Sequence, residues 1–181
     1  MNKFEILDNG DWIGYNHHQV FSLEQTTGPE RLQIGIPYES INPILALLKL
    51  LPEPLLLLYV LHTPRGAEPG RYQSPDLGHI QVEVFLNDFN EFLEQDSRHD
   101  LWIYSPGAKA TLVWDRHNIL YAYGPLQLFT SALENAEYTT GFTNIPYPHR
   151  HFYHPNFDQQ QYALLNAIDW YKTELRPEDE Q

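Results

Sequence analysis

The chain has 181 residues, with 11 basic and 24 acidic side chains, a formal net charge of −13 and no cysteine. The lack of cysteine excludes disulfides, thiolate metal sites and thiol nucleophiles. The negative charge argues against binding to nucleic acid or to anionic lipid, because both would repel it. Since 42% of the residues are hydrophobic, we expect one folded domain over residues 1–181 with most acids at its surface.

The N-terminal third predicts two short strands and one helix. Residues 3–7 alternate weakly and residues 32–36 form a second strand candidate. No apolar stretch typical of a secretory signal occurs in residues 1–9, so we expect a cytoplasmic protein. Ser40 is predicted to cap a helix over residues 41–51 that is apolar on nearly all sides. Such a helix is buried between layers or in an interface, which leaves a homodimer as one alternative.

The next segments predict a buried strand, a long loop and a second strand. Residues 55–61 form an apolar run of strand length that is expected in the interior of a sheet. Residues 63–78 are rich in proline and glycine and predict a loop. Residues 80–84 alternate apolar and polar side chains, which predicts a half-buried strand. A short helix is then expected to begin at residue 87 or 88.

A β-meander is predicted from three short strand candidates separated by turn-prone segments. These are residues 101–104, 111–114 and 119–123. Pro125 begins a further helix, and apolar spacing predicts a last helix from residue 156 or 158 to residue 175. The acidic segment 174–181 is expected to fray. Together these elements predict a single α+β domain with a largely antiparallel sheet packed with about four helices.

Histidines near the C-terminal third are the strongest candidates for metal binding. His149 and His151 are two residues apart, so on a strand they point to the same face, and His154 could complete a set of three. With a carboxylate such as Asp158, these imidazoles would suit zinc or iron. The alternative is a group of surface histidines, because the spacing matches no established metal motif.

Other histidines are interpreted structurally. The segment Asp115-Arg116-His117-Asn118 contains residue types used in catalysis, but its Asp and Asn are also preferred in turns, and we interpret it as a hairpin turn. His17 and His18 are adjacent, so on a strand they face opposite sides. They would contribute to a metal site only if the fold brought one of them to the later histidines.

The predicted loop over residues 63–78 contains the candidate binding residues Arg65, Arg71 and Tyr72. Long ordered loops often carry function, and two guanidinium groups beside an aromatic ring suit an anionic group or a protein partner. An ordinary solvated loop is the alternative reading.

The acids are concentrated between residues 83 and 100, where six acidic side chains accompany one arginine. They form either an ordinary solvated face or a negative surface that attracts a basic partner. Neither a Gly-x-Ser-x-Gly motif nor a phosphate-binding glycine loop occurs, so we expect a binding protein rather than an enzyme. The leading hypothesis is an acidic inhibitor or immunity-type protein that covers a basic protein partner. A metal-dependent enzyme or metal-binding domain, and a homodimeric structural subunit, are the alternatives.

Overall fold

A nine-stranded sheet and a separate three-stranded sheet form the framework of the molecule. The computed structural model describes residues 1–38, 40–63, 65 and 67–179. The strands are β1 Phe4–Asp8, β2 Asp11–Gly14, β3 Val20–Glu24, β4 Arg31–Gly35, β5 Leu56–Leu61, β6 Gly70–Gln73, β7 His99–Ser105, β8 Ala110–Trp114, β9 Ile119–Tyr123, β10 Thr139–Thr140, β11 His149–His151 and β12 Tyr171–Thr173. The helices are α1 Asn42–Leu48, α2 His79–Asp88, α3 Asn90–Gln95, α4 Leu126–Asn135 and α5 Asp158–Asn166, with 3₁₀ turns at Pro155–Phe157 and Pro177–Asp179.

The large sheet has the strand order β10-β3-β4-β9-β8-β7-β5-β6-β12, and within the described residues every pair except β10–β3 is antiparallel. Strands β7, β8 and β9 form the predicted meander. β5 lies in the interior of the sheet between β7 and β6, as its continuous apolar sequence predicts. The predicted α+β class with a largely antiparallel sheet is confirmed.

One face of this sheet carries the hydrophobic core. Along β7, Leu101 and Ile103 point into the core, while Trp102 between them points to the other face. This alternation follows from the period of two in a β-strand. Apolar side chains from all five helices join the same core cluster, so the helices cover this face. The opposite face stays more open: Tyr104, for example, is 41% exposed.

The three-stranded sheet has the order β11-β1-β2 and joins the N-terminal hairpin to residues 149–151. The β1–β2 hairpin turns at Asn9-Gly10, where both residues have positive φ, 49° and 93°. Asn-Gly is the sequence that favours such a tight hairpin turn. β11 pairs with the other side of β1, so that His151 lies opposite Phe4 and His149 opposite Ile6.

Helix α1 is shorter than predicted. It spans seven residues, and Ile41 rather than Ser40 occupies its N-cap position, without a side-chain capping bond. Ile44, Leu47 and Leu48 are fully buried within the chain itself. Packing inside one chain therefore accounts for the apolar character that suggested a homodimer.

The strand predicted over residues 80–84 is wrong, because this segment belongs to helix α2. Val82, Phe85 and Leu86 are buried, with the spacing of one helical face, whereas Ile80 is 78% exposed. Five residues that alternate apolar and polar side chains fit both the period of a strand and the period of a helix. The apolar pair Phe85-Leu86, which follows at helical spacing, distinguishes the helix. Asp88 ends α2 instead of capping the next helix.

The loop predicted over residues 63–78 contains strand β6, which pairs with β5. The last helix was predicted too long: α5 ends at Asn166, and the chain then forms β12 at the edge of the sheet against β6. Pro64 and Gly66 of the predicted loop lie outside the described residues.

Of the acids between residues 83 and 100, two are exposed, Asp88 and Glu91. Glu94 and Asp96 are buried, with 3% and 0% exposure. The negative surface expected there is therefore much smaller than the sequence suggests. Among the described residues, the helices are all too short or too polar to cross a membrane.

The C-terminal segment, expected to fray, is described as far as Asp179; Glu180 and Gln181 lie outside the described residues. Asp179 is buried and forms an ion pair with Arg71 of β6. The fraying of the segment beyond this contact stays a prediction.

Candidate metal site

Three imidazoles from two distant parts of the chain meet at one end of the large sheet. His149 and His151 come from β11, and His117 comes from the turn between β8 and β9. Each offers one ring nitrogen, and these three nitrogens lie within 4.8 Å of one another. We call His117, His149 and His151 the histidine cluster.

The strand geometry places two members of the cluster on one face, as predicted. β11 is held against β1, and the ring centroids of His149 and His151 are 5.3 Å apart. Phe4 of β1 lies beside this pair, with ring centroids 6.1 Å from His149 and 6.3 Å from His151. The aromatic ring of Phe4 thus supports the cluster from the side of the small sheet.

His117 is positioned by a turn that Asp115 stabilises. One carboxylate oxygen of Asp115 accepts hydrogen bonds from the backbone N–H groups of His117 at 2.9 Å and of Ile119 at 2.8 Å. Asn118 in the same turn has a left-handed backbone, φ 56°, which Asn tolerates better than most residues. The segment is therefore the hairpin turn predicted from its sequence, and it also delivers the third imidazole.

Hydrogen bonds orient two of the three rings. Nδ1 of His117 lies 3.0 Å from the second carboxylate oxygen of Asp115, and Nδ1 of His149 lies 3.1 Å from the carbonyl oxygen of Pro146. An oxygen acceptor at Nδ1 requires a proton there, so in the neutral form of each ring Nε2 is the nitrogen that keeps a lone pair. A ligating histidine in a protein metal site has this same arrangement, with its other nitrogen bonded to a carboxylate or carbonyl oxygen.

The charge states also suit metal binding. Burial, together with the neighbouring His117 and Arg116, lowers the pKa of His151 to about 3, so this ring is neutral at pH 7. Burial alone would raise the pKa of Asp115, but hydrogen bonds from His117 and Ile119 outweigh it and the pKa is lowered. A neutral imidazole is the form that binds a metal ion, and a charged carboxylate makes its partner imidazole a better ligand.

His151 has one further feature. Its Nδ1 is buried and has no hydrogen-bond partner among the described residues. A buried polar atom without a partner costs free energy, and such atoms are uncommon in folded proteins. A bound metal ion or a water molecule would satisfy this nitrogen.

His154, which the sequence placed in the metal set, does not join the cluster. Its Nε2 lies 2.9 Å from the carbonyl oxygen of Asn2, and its ring stacks on Phe152. Asp158, the expected carboxylate ligand, instead forms ion pairs with Arg65 and Arg98. In the structure, His117 therefore stands in the ligand set in place of His154 and Asp158, which the sequence predicted.

His17 lies at the margin of the cluster. Its Nε2 is 2.7 Å from the carbonyl oxygen of His117, and burial lowers the pKa of its ring. It braces the turn that carries His117 and is not one of the three grouped ligands. His18 is exposed.

The predicted anion-binding residues Arg65, Arg71 and Tyr72 are each engaged within the chain. Arg65 donates two hydrogen bonds to Asp158, at 3.0 and 3.2 Å. Arg71 is buried and paired with Asp179, and the Tyr72 hydroxyl donates to the carbonyl oxygen of Glu68 at 2.5 Å. An anion at either guanidinium would have to displace a carboxylate.

A cleft with a volume of about 750 Å³ lies on the open face of the large sheet. His117, Asp115 and Asp100 line one of its ends. The histidine cluster therefore has a neighbouring space that a small molecule can enter.

Comparison of the chain with protein-family models, with curated proteins and with solved structures found no match. Function is accordingly argued from the geometry of the cluster and the cleft.

Proposed function

We propose that the protein binds one zinc ion through Nε2 of His117, Nε2 of His149 and a ring nitrogen of His151. The observation that carries this proposal is the pair of hydrogen bonds that turns Nδ1 of His117 and of His149 toward an oxygen acceptor and leaves Nε2 of each neutral ring as the nitrogen available to a metal ion. In zinc sites the imidazole nitrogens lie about 2.0–2.1 Å from the ion. One ring nitrogen of each of the three histidines now lies within 4.8 Å of the other two, and rotation of the side chains would bring the ligating nitrogens to that distance from the ion.

The ligand set favours zinc over iron. Non-haem iron sites of the facial type use two histidines and a carboxylate, and the carboxylate expected here, Asp158, is held by two arginines. Three imidazoles are the ligand set of carbonic anhydrase and suit a tetrahedral zinc ion. The fourth position of such an ion is open for water or a substrate.

An open position beside a cleft is the arrangement of a catalytic zinc site rather than of a closed structural one. Bound there, zinc would supply Lewis acidity and would lower the pKa of a bound water molecule. The three histidines hold the ion, and two neighbouring residues orient the ligands. Asp115 orients His117, and the carbonyl group of Pro146 orients His149.

The test is zinc titration by isothermal calorimetry on tag-free protein. We expect one zinc per chain, and separate His117→Ala, His149→Ala and His151→Ala variants should each lose more affinity than the roughly 10- to 100-fold caused by removing a supporting hydrogen bond. The exposed His18 provides the matched control, since His18→Ala should bind like the wild type. His154→Ala should also retain binding, because His154 belongs to the metal set predicted from the sequence but not to the histidine cluster of the structure.

Circular dichroism of each variant shows whether it folds. Folded variants of all three cluster residues that bind zinc like the wild type would refute the proposal. Binding lost in His154→Ala but kept in His117→Ala would favour the set predicted from the sequence.

The acidic inhibitor and the homodimer remain predictions. Because two of the six acids between residues 83 and 100 are exposed, the surface charge gives the basic-partner hypothesis less support than the sequence did.

A further inference from the structure

The cleft on the open face of the large sheet has a regular floor. The pairing of β7, β8 and β9 places Trp102, Val113 and Tyr121 side by side in one row across three strands. All three line the cleft and are partly exposed. Trp102 and Val113 give this row apolar surface, and the guanidinium of Arg31, which lies over the Tyr121 ring, adds a planar group on which an aromatic ring can stack.

Arg31 covers the Tyr121 end of this floor in a fixed position. Its guanidinium lies 4.0 Å from the centre of the Tyr121 ring. It donates hydrogen bonds to Glu24 at 2.6 Å and to the Tyr123 hydroxyl at 2.7 Å. Its charge is therefore neutralised by Glu24, and in the cleft it provides a fixed planar group over the Tyr121 ring.

Lys109 is different, because it lies in the cleft without an ion-pair partner among the described residues. It occupies the turn between β7 and β8, with φ 50°. The cleft acids, in contrast, have partners: Asp179 pairs with Arg71, and Asp100 with His62. The end of the cleft at Lys109 therefore carries an uncompensated positive charge.

The two ends of the cleft are well separated. Lys109 precedes the first residue of β8, and His117 follows its last residue in the next turn. The five residues of β8 span roughly 17 Å at about 3.4 Å per residue. An anion at Lys109 is thus too far away to coordinate an ion held by the histidine cluster.

We propose that this cleft binds a small aromatic anion, with its ring on Trp102, Val113 and the Arg31 guanidinium that covers Tyr121, and its carboxylate or sulfonate at Lys109. The apolar floor supplies the affinity for the ring, and the lysine selects for negative charge. The volume of about 750 Å³ is within the range of small-molecule sites. This binding is independent of the proposed zinc site.

The probe is 2-naphthoate, with the uncharged 2-naphthalenemethanol as its matched analogue, titrated by calorimetry into protein treated with chelator. We expect saturable binding of one naphthoate per chain and much weaker binding of the alcohol. Lys109→Asn should weaken naphthoate binding by about 10-fold or more, because it removes a charged hydrogen-bond donor. Asn is chosen because it tolerates the positive φ at this position.

Two further variants complete the design. Lys49→Asn changes an exposed lysine outside the cleft and should bind like the wild type. Val113→Glu introduces a negative charge into the floor and should abolish binding, with the fold checked by circular dichroism. Failure of naphthoate to bind, equal binding of the alcohol, or unchanged affinity in Lys109→Asn would each overturn the proposal. Naphthoate binding that persists in Val113→Glu would also overturn it.

Discussion

The Asp115 carboxylate lies 3.0 Å from Nδ1 of His117 and also accepts the backbone N–H groups of His117 and Ile119. One side chain thus stabilises the turn and orients an imidazole of the histidine cluster. This dual role explains why a segment that reads as an ordinary turn also contributes to the candidate site.

Replacing Asp115 by Asn tests this relationship. The amide keeps one oxygen for the backbone N–H groups, but its nitrogen cannot accept the Nδ1 proton of His117. We expect zinc affinity to fall by about 10- to 100-fold, the usual effect of losing such a supporting bond. Calorimetric titration measures it, with the exposed Asp88→Asn as the control. Equal affinities of D115N and D88N would show that Asp115 has no role in metal binding.

A second prediction concerns the buried ion pair between Arg98 and Asp96. Both side chains are fully buried, and the Arg98 Nε lies 2.7 Å from an Asp96 oxygen. Arg98→Met leaves the Asp96 carboxylate buried without its partner, which should lower the free energy of unfolding by about 3–5 kcal/mol. Chemical denaturation measures this loss.

The control for this prediction is the exposed pair of Arg150 with Glu5. Arg150→Met should cost less than about 1 kcal/mol, because water screens the pair. Similar losses in the two variants would show that burial does not make the Arg98–Asp96 pair more important for stability than an exposed pair.

A third prediction follows from the buried Lys3. Its ammonium group bonds to the carbonyl oxygens of Leu93 and Asp115 and to the side-chain oxygen of Asn118, at 2.9 to 3.0 Å. Burial lowers its pKa from 10.5 to about 8, against the opposing effect of nearby acids such as Asp115. Between these two pH values the unfolded chain binds more protons than the folded one, so this group makes the protein more stable as pH rises.

The stability difference between wild type and Lys3→Met measures the effect, since the variant lacks the titrating group. We expect the difference to shift in favour of the wild type by about 3 kcal/mol between pH 8 and pH 10.5. Urea denaturation at several pH values gives the curve. A difference that stays constant over this range would mean that Lys3 has an ordinary pKa.

A fourth prediction concerns the C-terminal segment. Besides its pairing with Arg71, Asp179 accepts the backbone N–H of Arg176 at 2.7 Å. Asp179→Ala should release this segment, and limited proteolysis followed by mass spectrometry should show faster cleavage after Lys172. Glu178→Ala, which changes an exposed neighbour, is the matched control. Equal cleavage rates in both variants would show that Asp179 does not hold this segment in place.

The sequence predicts those strands that carry a clear pattern. The meander and β5 were found because alternation or a continuous apolar run extends over most of each strand. β6 and β12 were missed because the Gly-Arg-Tyr-Gln and Tyr-Lys-Thr sequences have no such pattern. Their pairing is determined by contact with a neighbouring strand, which local sequence does not encode.

The candidate site was predicted in part. The same-face arrangement of His149 and His151 follows from spacing alone, but His117 is more than 30 positions away in sequence. Only the pairing of β11 with β1 and the position of the β8–β9 turn bring the three together. One local indication existed: Asp115 precedes His117 by two residues, a spacing that allows a carboxylate to bond to an imidazole in a turn.

The central claim is most directly tested by anomalous X-ray diffraction at the zinc absorption edge, on crystals of tag-free protein grown with zinc. We predict one strong anomalous peak per chain, bonded to Nε2 of His117, Nε2 of His149 and a ring nitrogen of His151. The fourth ligand should be water or a small molecule. A structure of the zinc-saturated protein with no peak at these three rings, or with its peak at His154, would contradict the proposed site.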